Sequence, residues 1–313
     1  MRAAWVEAGE IGLKERPLPR APSGWALVRV ACAGLCGTDL ALQRGLYGFR
    51  GTPGHEFVGV VEHGPVHWKG RRVVADINVA CGRCRYCRGG APNHCAARRV
   101  LGIRSLNGAF AEFLTVPARN LVAVPEGLDD DGAVFAEPLA AALDAQRQLP
   151  ADCPVLVVGP GRLGQVLIRV LLASGRRVFC LGKSSEAFAY LPRGVVQAGV
   201  LEPSWRAKFA AVVDCSGTAS GIHAALDAVR PRGTLVLKGT SAARHCIDLD
   251  RLVVDEIRLL GSRCGPMELA VDWLHAARID PRPLISSRRG LNQIGSAFTE
   301  AAARGQMKVL VKP

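Results

Sequence analysis

The sequence predicts an α/β protein of two parts, a β-rich first part and then a doubly wound parallel sheet. Three observations carry this. Up to about residue 125, short apolar runs alternate with Pro- and Gly-rich turns. From residue 155, apolar strands alternate with helical stretches, the pattern of βαβ units. Where the first of those strands meets its helix stands Gly159-Pro160-Gly161-Arg162-Leu163-Gly164.

In chain order, 25–30 reads as a strand, with Pro17, Pro19 and Pro22 marking turns before it. Stretches 57–61, 72–75, 110–116 and 121–124 read as further strands separated by loops. The texture changes near residue 133. Stretch 133–149 is rich in Ala and Leu at helical spacing, and Pro150 closes it. The strand 155–158 enters the glycine motif, and 165–173 continues as an apolar helix. Strands are expected at 178–181, 211–214, 234–237 and 257–260, with a helix over 221–229. The tail from about 267 reads as two helices and a last strand, 308–312. Domain limits are expected at 1–146, 147–266 and 267–313.

The chain has 313 residues, enough for two sizeable cores. It is 49% hydrophobic and 5% aromatic, as in a globular α/β protein. No apolar run is long enough to suggest a membrane span, and charges interrupt the first ten residues, so no signal peptide is expected. The formal charge is +13, from 33 Arg and 7 Lys against 27 acidic residues. No Lys/Arg run exceeds two residues and no nucleic-acid motif appears, so this charge reads as a solvated Arg-rich surface. Eleven cysteines, four of them within 15 residues, point to a cytoplasmic metal protein rather than a disulfide scaffold.

Those four form the most specific motif: Cys81-x2-Cys84-x2-Cys87-x7-Cys95. Four thiolates at this spacing can close a tetrahedral shell around one Zn²⁺. An iron–sulfur comb instead has a three-residue last gap followed by Pro. A shell filled by protein has no open position, so this site is expected to hold a loop.

The glycine motif is the second signal. Gly159, Gly161 and Gly164 would permit a tight turn, close approach of a pyrophosphate and tight helix packing, with Arg162 and Leu163 opening the helix. Its context, strand before and helix after, is the dinucleotide-binding one, and Ser216 and Ser262, with Arg263, follow later strands where such a cofactor would lie. The acid expected at the end of the second strand is absent. Gly182, Lys183, Ser184 and Ser185 stand there and would tolerate a 2′-phosphate, so NADP is favoured over NAD.

Earlier in the chain, Cys36-Gly37-Thr38-Asp39 and Gly54-His55-Glu56 supply a thiolate, an imidazole and two carboxylates, donors suited to zinc. Taken alone, this pair of motifs reads better as a buried Cys and a satisfied His than as a metal site. Taken with the comb, Ala136-Glu137-Pro138-Leu139 and the glycine turn, the sequence resembles the zinc-dependent medium-chain alcohol and polyol dehydrogenases along its whole length. That resemblance implies a GroES-like β catalytic domain, a Rossmann coenzyme domain and a C-terminal return to the first. It implies a catalytic zinc held by Cys36, His55 and Glu137, with Glu56 beside it, and a structural zinc in the comb. Asp39 resembles the acceptor that fixes the histidine tautomer, and Thr38 the hydroxyl that takes the substrate proton. Lys308 lies where relatives often place a basic residue near the cofactor pyrophosphate.

The implied activity is hydride transfer between a secondary alcohol or polyol, or its ketone, and NAD or NADP. A homodimer or homotetramer is implied, with a small-molecule substrate whose cleft is expected near Leu46-Tyr47, Asn78 and Ile103. Two departures stand out. Ala41 occupies the position of a proton-relay histidine, and the stretch 183–211 looks trimmed. The alternatives are a non-catalytic or cofactor-sensing homologue and a zinc-free quinone or enoyl reductase. The six other histidines carry no metal spacing, and Cys264 reads as a buried inert thiol.

Overall fold

The computed structural model describes residues 1–240 and 244–313. The chain forms two compact units. One comprises Met1–Glu137 with Met267–Pro313, the other Pro138–Pro266. The first division therefore falls after Glu137, where 146 was expected. Residues 140–144 are tied to the stretch 262–265 of the second unit. Ser262 Oγ donates to Asp144 Oδ2 (2.6 Å), and a Cβ on Gly265 would lie 1.8 Å from the Ala140 carbonyl oxygen.

The first unit is organised on a seven-stranded sheet. Its long strand Trp25–Gly34 pairs antiparallel with Glu56–His63, Phe113–Pro117 and the last strand, Lys308–Lys312. Leu310 and Val311 pair with Gly34 and Ala33, so the end of the chain lies beside its beginning. Ile285–Gly290 pairs parallel with Lys308–Lys312 and forms the edge. The core holds Val28, Leu35, Phe57, Phe110, Phe298 and Val311, all nearly inaccessible. Each such side chain contributes about 1.5–3 kcal/mol of burial.

The second unit is a six-stranded parallel sheet. Its order is Val196–Ala198, Val178–Leu181, Val155–Val158, Phe209–Asp214, Val229–Leu237, Arg258–Gly261. All four residues of Val155–Val158 are buried, because strands of a covered parallel sheet are apolar on both faces. The helix Arg162–Ala173 presents Val166, Leu167, Ile168, Val170 and Leu171 inward. The order reverses between Val155–Val158 and Phe209–Asp214, the switch point at which dinucleotides bind.

The stretch 183–211 holds little structure: a one-turn helix Ser185–Phe188, the strand Val196–Ala198 and a turn Pro203–Trp205 before the next long strand. Phe179, Trp205 and Phe209 close that side edge to face, with ring centroids 5.0–5.9 Å apart. Among the described residues, no helix is long and apolar enough to cross a membrane.

Candidate active site

In the first unit, Cys36 precedes the helix Gly37–Gln43, and Asp39 sits in its first turn. Asp39 is inaccessible. Its Oδ2 accepts from Cys36 N–H (2.9 Å), and its Oδ1 accepts from Gly54 N–H (3.0 Å). One carboxylate thus fastens the loop bearing Cys36 to the loop bearing His55. Gly54 has φ +100°, and a Cβ there would lie 2.8 Å from Phe110 N, so only glycine fits before His55. Asp39 Oδ1 is also 3.3 Å from His55 Nδ1, off the line of a hydrogen bond. Burial works against a charged imidazole here. The Asp39 carboxylate, and after it Cys36, outweigh that and hold the ring pKa well above its ordinary value.

Donor atoms of Cys36, His55 and Glu56 all lie within 4.8 Å of one another. This set, one sulfur, one imidazole and one carboxylate, suits zinc, and the buried His55 Nδ1 with no hydrogen bond leaves the ring unsatisfied by protein alone. Thr38 Oγ1 is 3.8 Å from Cys36 Sγ. Glu137, half-buried in the first turn of the helix Ala136–Arg147, is not one of the three converging residues. The third is Glu56, which directly follows His55 and opens the strand paired to Gly34.

Lys308 is buried and ion-paired with Glu56, and its Nζ lies 5.4 Å from the centroid of the Phe135 ring. The position expected to face a pyrophosphate is therefore engaged with a member of the metal-donor cluster.

The four comb sulfurs also converge, and none is in a disulfide. A tetrahedron with Zn–S bonds of about 2.3 Å has edges of about 3.8 Å. The separations Cys84–Cys87 (3.5 Å) and Cys81–Cys87 (4.0 Å) bracket that value. Cys81 N–H donates to Cys95 Sγ (3.3 Å). The backbone N–H of Cys87 lowers the Cys84 thiol to about 6, while burial and Cys84 itself raise Cys87 to about 11. Backbone amides aimed at sulfur favour thiolate, the form that binds metal.

In the second unit, Gly159 has φ +93°, and a Cβ there would lie 2.7 Å from Ser216 N. At Gly164 a Cβ would lie 2.0 Å from the Gly159 carbonyl oxygen, which enforces tight packing of turn and helix. Gly161 has open space where its Cβ would be, and it caps the N-terminus of the helix Arg162–Ala173, where Leu163 follows. This is the cradle a pyrophosphate needs. Sequence reasoning missed two residues that hold it. Buried Gln165 donates to the carbonyls of Pro160 (3.2 Å) and Ala187 (2.8 Å). Buried Asp214 accepts from Ser216 Oγ (2.6 Å) and Ser216 N (3.0 Å). Gln165 lies within the helix Arg162–Ala173 and Asp214 ends the strand Phe209–Asp214, and their lack of exposure was the missing signal.

Lys183 is exposed. Ser184 caps the helix Ser185–Phe188 and donates to Glu186 Oε2 (2.8 Å), as Ser185 does at 3.4 Å. Ser262 lies at the end of Arg258–Gly261.

Residues 22–126 match the alcohol dehydrogenase GroES-like domain. The D-altritol 5-dehydrogenase of Agrobacterium fabrum is 33% identical, over 95% of this chain and 94% of its own length. The short chain alcohol dehydrogenase (rspB) of Escherichia coli CFT073, complexed with NADH, is similar in structure with a TM-score of 0.91 at 27% identity, covering 100% of this chain and 99% of its own. A candidate zinc-binding dehydrogenase of Sinorhizobium meliloti 1021 bound to NADP gives 0.90 at 27%, with the same coverage. Convergent metal donors, a dinucleotide cradle and these likenesses lead to one conclusion: the chain belongs to the zinc-type medium-chain alcohol and polyol dehydrogenase family, and it is an oxidoreductase.

Proposed function

We propose that the chain oxidises a secondary alcohol or polyol, or reduces the corresponding ketone, with NAD(P), and that NADP is favoured. The observation that carries this is the convergence of Cys36, His55 and Glu56 around a buried point braced by Asp39. Zinc bound there would act as a Lewis acid on the substrate oxygen. Bound NAD(P) would supply the hydride acceptor or donor.

The chain's own residues do the rest. Cys36 and His55 present sulfur and ring nitrogen, and a carboxylate completes the set: Glu56 in the arrangement described, Glu137 by family resemblance. Asp39 orients His55 and fixes both ligand loops, a support whose loss typically costs ten- to a hundredfold in affinity or activity. Thr38, beside Cys36, takes the hydroxyl proton of the substrate. Ala41, in the relay position, has no group that can carry that proton onward. Cys81, Cys84, Cys87 and Cys95 would hold a second zinc, which would close their loop. Gly159 to Gly164, with Ser216, receive the dinucleotide.

Exposed Lys183 beside Ser184 favours a 2′-phosphate, and the Glu186 carboxylate on both serine hydroxyls opposes it. A polyol substrate is supported by the altritol relative.

The strand Arg258–Gly261 ends the sheet of the second unit, and Leu260 with Leu249, Val253 and Val254 of the helix Leu249–Val254 is exposed. A second copy of the chain docked there would cover this apolar edge and make a homodimer, which light scattering would detect. Eleven cysteines free of disulfides support a cytoplasmic protein.

The test is a screen of alcohols, polyols and hydroxy amino acids with both cofactors. Cys36→Ser should abolish oxidation and leave dinucleotide binding intact, and surviving activity would refute the zinc assignment. A higher kcat/KM with NAD would overturn the NADP preference alone.

A further inference from the structure

The segment 77–111 is basic in a way that a count of consecutive basic residues conceals. It holds six arginines, Arg83, Arg85, Arg88, Arg98, Arg99 and Arg104, and no Asp or Glu. Cysteines and a tyrosine separate the first three, so no run forms along the chain. The fold gathers them. The comb sulfurs lie within 4.8 Å of one another, which wraps the chain tightly about one point. Cys84 and Cys87 face that point. Arg85 and Arg88 bound the one-turn helix Arg85–Arg88, three positions apart and therefore side by side. Arg119 joins from outside the segment, its Nη2 donating to the Ala80 carbonyl (2.5 Å).

Elsewhere in the first unit Arg2, Arg29, Arg72 and Arg288 each hold a carboxylate. In the comb lobe Arg83, Arg85, Arg88, Arg99 and Arg104 are exposed, and none of them is ion-paired among the described residues. Two have aromatic partners instead. Arg85 Cζ lies 4.7 Å from the Tyr86 ring centroid, and its Nη2 donates to the Tyr86 hydroxyl (2.9 Å). Arg99 Cζ lies 5.2 Å from a ring centroid of Trp25. Tyr86 is 38% exposed, and among the described residues of 77–111 no other large apolar side chain is exposed.

Like charges this close repel, and an exposed one-turn helix has no packing need for them. A zinc tetrathiolate in the comb would carry two negative charges and still leave the segment at about +4. Several anionic partners differ in what else they require. A membrane surface calls for several apolar anchors beside the cations, and Tyr86 stands alone. A second copy of the same lobe would be repelled. An acidic protein surface would engage the arginines and has no use for an exposed ring among them. Guanidinium forks match phosphate, and an aromatic face between them is the platform on which an unpaired base stacks.

We propose that the comb lobe is a docking surface for single-stranded nucleic acid, with Arg83, Arg85 and Arg88 on its phosphates and Tyr86 against a base. This surface is separate from the metal-donor cluster of Cys36, His55 and Glu56 and does not depend on the reaction assigned to it.

The test is fluorescence anisotropy of the full chain with a labelled oligouridylate of about 16 nucleotides, titrated at salt concentrations from about 50 to 200 mM. The triple variant Arg83→Gln, Arg85→Gln, Arg88→Gln should weaken binding tenfold or more and flatten the salt slope by about 2, at about 0.7 per phosphate contact. A control triple, Arg20→Gln, Arg193→Gln, Arg304→Gln, removes the same charge from exposed arginines elsewhere and should weaken binding less than threefold. Tyr86→Ala should weaken it about fivefold or more and Tyr86→Phe less than twofold, an independent arm if the lobe triple fails to fold. The proposal is overturned if both triples weaken binding equally, which marks diffuse net charge. It is overturned too if polyglutamate of equal charge displaces the oligonucleotide as well as unlabelled oligouridylate does, which marks an acidic protein partner. Displacement by saturating NADPH would place the strand in the dinucleotide cradle and also overturn it, as would wild-type binding weaker than about 10⁻⁴ M at physiological salt.

Discussion

Replacing Lys308 by Met leaves the Glu56 carboxylate buried without its partner. Both side chains are nearly inaccessible, at 3% and 1% exposure, so solvent screens little of the interaction. Removing one member of such a pair costs about 3–5 kcal/mol. The Phe135 ring under the ammonium adds a cation–π share of about 0.5–2 kcal/mol. The assay is urea unfolding followed by tryptophan fluorescence, since Trp5, Trp25, Trp68 and Trp273 of the five tryptophans belong to the first unit. Lys308→Met is expected to lose at least about 3 kcal/mol at pH 8, and adding Glu56→Gln should restore about half of that. A loss below about 1 kcal/mol, or a double variant no more stable than the single one, would refute the reasoning.

Three further outcomes are expected. Cys84→Ser should lower zinc from two ions per chain to one by elemental analysis and cut thermal stability before it touches dinucleotide binding; an unchanged zinc count would remove the structural site. Gly164→Ala should reduce NAD(P)H binding at least tenfold by fluorescence titration, because the new methyl would sit 2.0 Å from the Gly159 carbonyl oxygen. Burial alone would raise the Asp131 carboxyl, but Arg288 and then Lys312 hold it below the usual range. Its contribution is therefore complete above the unfolded carboxyl pKa and lost as pH falls through the lower folded one, so Asp131→Asn should cost about 1 kcal/mol near pH 7 and progressively less in acid, as unfolding curves at several pH values would show.

Much of this was legible in the residues themselves. Val155–Val158 and Val178–Leu181 have the expected limits because strands buried on both faces read as unbroken apolar runs. The comb and the glycine turn were visible because metal spacing and turn chemistry are local. The hairpin of Arg2–Glu7 and Glu10–Glu15 escaped notice because its second strand is largely exposed and lacks alternation. Ile285–Gly290 escaped too: Ser286, Ser287, Arg288 and Arg289 read as loop, and only its parallel pairing to Lys308–Lys312 makes it a strand. Asp214 and Gln165 were unreadable for one shared reason. Their roles come from partners 22 or more residues away, or from the backbone of a turn, and sequence spacing does not encode such contacts.

The pairing of Lys308–Lys312 with Trp25–Gly34 also sets a schedule for biosynthesis. Glu56 emerges from the ribosome 252 residues before the lysine that neutralises it. At about 5–20 residues per second, that is a wait of roughly 13–50 s. The second unit, Pro138–Pro266, is fully synthesised within this interval and has all its strands in hand. The first unit can close its sheet only when the final five-residue strand is released. Nascent chains stalled before residue 308 should therefore protect the second unit from protease and leave the first open, with the Cys36, His55 and Glu56 cluster unsealed.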